Sequence, residues 1–383
     1  MGLVTFLTDT MLVERALGVG TYALLLLVVC NGISVSKRES LRKWLVFYVC
    51  VLSVLAFFYK PGATADLSSL IGYMHSWALW SPSEALERCL HSTTPLYLAY
   101  FWIIGQFGSD GLLPAITCFI YYSLVFSCFW HMSIKYETQS KSNAWGVALF
   151  MSFGVFVEVI SGIRSSLAIA AVFWCCVREI LLGKNPFANV LAYMAASLIH
   201  PLGLFLTLLR FFVLLIQKAQ SRYQRLAYLL VSVFGVATIV LLGPEYLTAM
   251  LDKGVSYAVG VRYSSFWETI IHLILIVVSI SLIKKQRGDG FKADSTIQNL
   301  VIMQIAILVV VIAGFFLDYA IYHRLSTYLG MYSALVFPLI LQSEETTPGV
   351  ATNYIKAVKM AIVVMLLLAC ARGNLSGYKF FLL

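Results

Sequence analysis

Charge is scarce in this chain. Of 383 residues only 12% are charged, 60% are hydrophobic, and the mean hydropathy is +0.86. A soluble domain cannot cover its surface with so little charge. The eight cysteines include no CxxC pair, and Cys30, Cys50, Cys118, Cys128, Cys175 and Cys176 lie inside apolar runs. Neither a disulfide framework nor a zinc site is expected from that usage. GxGxxG, P-loop, HExxH and DxD-type diphosphate–metal motifs are missing, as is a nucleophile elbow. Any phosphate chemistry here is therefore expected to rely on arginine and on no cofactor or metal. The opening MGLVTFLTDTMLVER lacks a basic stretch followed by an apolar core and a small-residue cleavage site, so no cleavable signal peptide is expected.

What is present is a succession of apolar runs of about 15–22 residues, near the length that crosses a bilayer core. They predict a single all-α polytopic membrane domain over residues 1–383. Twelve spans are expected, near 16–35, 44–59, 111–131, 144–160, 165–183, 186–200, 201–217, 226–243, 265–283, 297–317, 325–342 and 356–371. The run 95–107 (PLYLAYFWIIGQF) is apolar but short, and reads as re-entrant or interfacial. The basic clusters support that choice. Lys37–Lys43, Lys135 with Lys141, Arg178 with Lys184, Lys218 with Arg222 and Arg225, Lys284–Lys292, and Lys356 with Lys359 hold 17 of the 27 Lys and Arg. With 95–107 not spanning, all six clusters share one face, which the positive-inside rule makes cytoplasmic. Both termini then lie outside. The net charge of +9 is spread over connecting loops as an orientation signal, which argues against a nucleic-acid partner.

The opposite, external face carries few polar residues. Loop 60–94 holds Asp66, Tyr73, His75, Trp77, Trp80, Glu84, Glu87, Arg88 and His91. Loop 244–264 holds Glu245, Tyr257, Arg262 and Tyr263, and loop 318–324 holds Asp318, His323 and Arg324. Loops 60–94 and 244–264 are the expected substrate-binding segments. Arg164 lies at the seam between two apolar runs, and His200 at another, just before Pro201. An even number of spans separates each of these positions from the next. Three arginines and a histidine thus meet one external water–lipid boundary.

Each residue has a plain alternative. Arg164 could be an anchor whose stem snorkels to the headgroups. Against that, orientation signals put cations on the other face, and arginine's planar fork binds phosphate bidentately. Arg164, Arg262 and Arg324 together favour a diphosphate clamp over three unrelated anchors. His200 could be satisfied by local backbone, could accept a proton from an attacking hydroxyl, or could donate to a phosphate oxygen. Asp66 could cap the helix expected over Leu67–Trp77, serve as a base, or both. Glu158 inside an apolar span needs a partner, and Arg164, six residues on, is the expected one. Arg210 inside 201–217 could snorkel or brace another acid. Trp77, Trp80, Tyr257 and Tyr263 could form an interfacial belt or stack on sugar rings.

The residues resemble the EpsG family of Wzy-type polysaccharide polymerases. The similar elements are an early external D-x6-Y (Asp66, Tyr73), a G-I-R-x-x-L-A helix start (162–168), and an I-H-P hairpin (199–201). An R-Y pair precedes a span (262–263), and a late R-x3-Y (Arg324, Tyr328) is followed by Pro338. The resemblance implies a fold like the lipid-dependent C-type glycosyltransferases, in the bacterial inner membrane, with the active site facing the periplasm. It implies transfer of a growing glycan from undecaprenyl diphosphate to an incoming lipid-linked oligosaccharide repeat unit. Implied partners are those lipid-linked substrates, membrane lipids and a chain-length regulator. On this expectation Arg164, Arg262 and Arg324 clamp the diphosphate, His200 or Asp66 deprotonates the acceptor, and Glu158 holds Arg164. Tyr73, Tyr257, Tyr263 and His323 are then expected to contact sugar or lipid. The rivals are a flippase for the same lipid-linked glycans, a ligase, an acyltransferase that decorates the glycan, or an assembly scaffold.

Overall fold

A computed structural model describes residues 10–61, 66–153, 156–184, 189–218, 270–271, 273–277, 280, 295–317, 319–346 and 351–375. Its elements are helical, with no β-strand among the described residues. In chain order they are α1 (Thr10–Val35), α2 (Leu41–Phe57), α3 (Asp66–Ala78), α4 (Pro82–Leu90), α5 (Pro95–Gly105), α6 (Leu112–Tyr136) and α7 (Ser140–Phe153). There follow α8 (Phe156–Ser161), α9 (Ile163–Leu182), α10 (Val190–Ile199), α11 (Pro201–Lys218), α12 (Ser295–Leu317), α13 (Tyr319–Thr346) and α14 (Ala351–Leu375).

Among the described residues five helices are long and apolar enough to cross a bilayer: those within Arg38–Phe57, Leu112–Tyr136, Ile163–Leu182, Ser295–Gly314 and Tyr322–Gln342. The protein is an all-α membrane protein. The runs expected at 226–243 and 265–283 lie wholly or largely outside the described residues. The short apolar run at 95–107 becomes α5, with eleven residues. At about 1.5 Å per residue it reaches little more than half of a ~30 Å hydrocarbon core.

Two expected spans and one expected loop differ in outline. The run 144–160 is divided into α7 and α8. The run 186–200 yields ten-residue α10, too short to cross alone. The loop expected at 318–324 is mostly helix, because α13 begins at Tyr319 and leaves only Asp318 between it and α12. Tyr319–Arg324 contains no glycine or proline to break the turn, so the helix extends through it.

α9 and α13 are the most enclosed of the five long helices. Small residues let neighbours approach them, as helix packing in lipid requires. A Cβ on Gly146 of α7 would stand 2.7 Å from the Pro338 ring and 3.0 Å from the Ala334 carbonyl oxygen on α13. That carbonyl is four residues before Pro338, which has no N–H to offer it. One turn away from the other side, a Cβ on Gly330 would stand 2.9 Å from Phe153. Gly203 of α11 lies against Ala196 of α10 and Ala168 of α9.

Helix ends follow their sequence. Ser81 accepts the Glu84 amide, with Pro82 at the first position of α4. Gly183 closes α9 at φ 62°, the left-handed conformation that favours glycine. Lys135 donates to the Leu181 carbonyl at 2.7 Å, placing a cation at the carboxyl end of α9. Deep in the bundle, Arg210 of α11 meets Glu179 of α9 at 3.0 Å. The same carboxylate accepts from Tyr193 (2.7 Å) and Asn189 (3.1 Å). Arg210 therefore braces an acid, one of the two roles open to it in the sequence.

Candidate active site

The site begins at the break between α8 and α9. The sequence S-G-I-R-S-S supplies the means. Gly162 sits outside helical geometry and donates its amide to the Glu158 carbonyl at 2.8 Å. The Ser165 hydroxyl and the Ser166 amide both return to the Gly162 carbonyl, at 3.0 and 2.9 Å. A new helix thus starts with Arg164 as its second residue. The unpaired amides of that first turn add positive potential to the guanidinium.

Glu158 does not hold Arg164. Its Oε2 lies 2.8 Å from Nε2 of His323 on α13, tying α8 to a helix 165 residues away. The break at Gly162 puts Glu158 on α8 and Arg164 on α9, so the two side chains need not share a face. The Arg164 guanidinium instead lies 4.7 Å over the Tyr97 ring of α5. No carboxylate among the described residues comes within ion-pair distance of it. Burial pushes the Tyr97 phenol up to about 12, with the Arg164 cation pulling the other way. Glu158 and His323 both remain partly exposed, at 39% and 21% of the side chain.

His200 ends α10 in an extended conformation, φ −155° and ψ 143°, as a residue before proline should. Its Nδ1 accepts the Leu202 amide at 3.1 Å, so the ring caps the start of α11. A neutral ring with Nδ1 engaged as acceptor carries its proton on Nε2. His200 can then donate from Nε2, while the lone pair a base would use is occupied. The Gly203–Ala168 contact sets this corner one helical turn below Arg164 on α9. α10 also packs against α5, the helix that carries Tyr97.

Asp66 is exposed at the start of α3, and α3 packs against both α5 and α8. Tyr73 is 52% exposed on the same helix and stacks on Trp77 at 5.8 Å between centroids. Arg324 is exposed beside His323, at the start of α13. Arg262, Tyr257 and Tyr263, with the whole of 244–264, lie outside the described residues. The structure therefore gathers Glu158, Arg164, His200 and His323 at one end of the bundle. The helices carrying Asp66 and Tyr73 pack beside them. Among the described residues no group of three or more His, Cys, Asp or Glu side chains is placed to hold a metal ion.

Two partners were not legible in the sequence. Tyr97 receives Arg164 from 67 residues away, and nothing in PLYLAYFW marks it as special. Glu179 sits in an apolar helix opposite Arg210, and each of the two buried charges could have been used to seek the other.

No curated protein and no solved structure matches the chain. The model of the EpsG family matches residues 43–380. That match covers nearly the whole chain: this protein belongs to the EpsG family, whose members are Wzy-type polymerases.

Proposed function

We propose that the protein extends a glycan on the periplasmic face of the bacterial inner membrane, within a bundle of about twelve spans. The growing chain leaves undecaprenyl diphosphate and joins the non-reducing end of an incoming lipid-linked repeat unit. The observation that carries this reading is the Glu158–His323 pair at 2.8 Å, beside an arginine at a helix start.

The chemistry needs two things at lipid depth. One is a base for an acceptor hydroxyl, and the other is positive charge for a diphosphate leaving group. A carboxylate bonded to an imidazole orients the ring and stabilises its protonated form. The hydroxyl proton passes to the Glu158–His323 dyad, and the hydroxyl oxygen bonds to the anomeric carbon. The bond from that carbon to the diphosphate oxygen breaks. An in-line displacement of this kind inverts the anomeric centre. Arg164, Arg262 and Arg324, with the Nε2–H of His200, receive the developing negative charge. In this scheme arginine does the work often given to a divalent ion. Asp66 is the second carboxylate on the same side, and comparing Asp66→Asn with Glu158→Gln decides which acid serves the hydroxyl.

A flippase would want cations lining an internal path at several depths. The deep cation Arg210 is instead held by Glu179, which favours the polymerase. A strain lacking the protein separates the readings. Single repeat units displayed outside support a polymerase, and their absence supports a flippase. Long polymer left on undecaprenyl diphosphate supports a ligase.

A further inference from the structure

Aromatic rings from α3, the turn after it and α5 form a column that the diphosphate chemistry does not use. Tyr73 stacks on Trp77 at 5.8 Å with 18° between planes, and Trp77 stacks on Trp80 at 5.4 Å with 22°. The Arg88 guanidinium covers Trp80 at 4.4 Å and is itself held by Glu84 at 2.9 Å. At its middle the column turns a corner. Tyr97 meets Trp77 edge-on at 5.5 Å, and Arg164 lies over Tyr97. Tyr73 is half exposed, and the neighbouring Gly72 has open space around it.

We propose that this column is a carbohydrate subsite, with the Tyr73 end receiving a pyranose ring of the lipid-linked repeat unit. Rings that merely anchor a protein in the interface need no order among themselves. Here three rings are aligned nearly parallel, and guanidinium groups cap two of the ring faces. A pyranose has an apolar C–H face and hydroxyls around its rim. A flat aromatic face beside planar N–H donors complements that shape. Through Trp77 and Tyr97 the column leads directly to Arg164, so a sugar on Tyr73 belongs to the glycan whose diphosphate or acceptor hydroxyl is handled at α8 and α9. The proposal rests on the polymerase reading for the identity of that glycan.

The test is binding, without turnover. The probe is the oligosaccharide repeat unit released by mild acid from the glycan of the producing cell, free of lipid and phosphate. It is titrated against the full chain in nanodiscs by tryptophan fluorescence. Tyr73→Ala is expected to weaken binding about three- to tenfold, the size of one aromatic stacking contact, and Tyr73→Phe to bind as wild type. Because Tyr73 is half exposed, both variants should elute and melt as wild type does. Equal affinity of wild type and Tyr73→Ala overturns the proposal. So does a defect that appears only when the probe carries its polyprenyl chain, which would put Tyr73 against lipid. If wild type makes polymer but binds no free oligosaccharide, the subsite fails and the polymerase reading stands. If wild type binds the oligosaccharide through Tyr73 but makes no polymer, the polymerase reading fails and the subsite stands.

Discussion

Replacing Arg210 by leucine should destabilise the bundle without touching the chemistry. Both partners of the Arg210–Glu179 pair are nearly inaccessible, at 3% and 2% of the side chain. Removing one partner of such a pair costs about 3–5 kcal/mol, because the other charge is left in a low-dielectric interior. The lower end applies here, about 3 kcal/mol, since Tyr193 and Asn189 still donate to Glu179. One guanidinium nitrogen, Arg210 Nη1, has no hydrogen-bond partner among the described residues, and the wild-type pair is compensated there only through Nε. Neutralising the acid as well should therefore recover most of the loss: Glu179→Gln keeps an oxygen for the Tyr193 hydroxyl and removes the stranded charge. The assay is thermal melting of the purified protein in detergent. Arg210→Leu should melt several degrees lower, and Arg210→Leu/Glu179→Gln close to wild type. A single variant that melts with wild type, or a double variant no better than the single, refutes the reasoning. Glu179 lies fifteen residues beyond Arg164 on α9, about 22 Å along the helix. Polymer made per folded molecule should then be unchanged in Arg210→Leu, whereas a transport path through Arg210 would fail.

The other predictions concern the opposite end. Glu158→Gln and His323→Gln should each slow polymerisation about 10²–10⁴-fold, the range for a positioned base; the double variant should be no slower than the worse single, in initial-rate gels. Arg164→Lys keeps the charge but loses the planar fork and the stacking on Tyr97, so chain length should fall while membrane abundance holds, by immunoblot. His200→Ala should lose the α11 cap and about 1 kcal/mol of stability. His200→Asn, which can still accept the Leu202 amide, should melt near wild type yet polymerise more slowly, because its donor is displaced. Gly203→Ala drives a methyl toward the Ala196 carbonyl and should cost about 1–3 kcal/mol as overpacking, read by melting or yield.

Sequence reasoning succeeded where a signal is local. Run length marked 95–107 as short, and α5 has eleven residues; the same measure missed α10, which has ten. The I-H-P corner was legible because proline restricts the residue before it. Gly162, two residues before Arg164, marked a helix start. It failed where the answer depends on which helices meet. Glu158 had a near neighbour in sequence, yet the chain breaks at Gly162 between them and Glu158 meets His323 on α13 instead. His323 itself read as a loop residue between two apolar runs, yet it lies in the second turn of α13, which begins at Tyr319. The aromatic column combines i, i+4 spacing on α3, which a sequence shows, with Tyr97 on α5, which it does not.

The proposed work of the Arg164 face, with its Glu158–His323 dyad, is to join lipid-linked repeat units. The most direct measurement incubates the purified protein with undecaprenyl-diphosphate-linked repeat units in EDTA and resolves the products on a gel. The account predicts a ladder from wild type and only monomer units from the Glu158→Gln/His323→Gln protein, folded to the same extent. No ladder from wild type, or an undiminished ladder from that double variant, contradicts it.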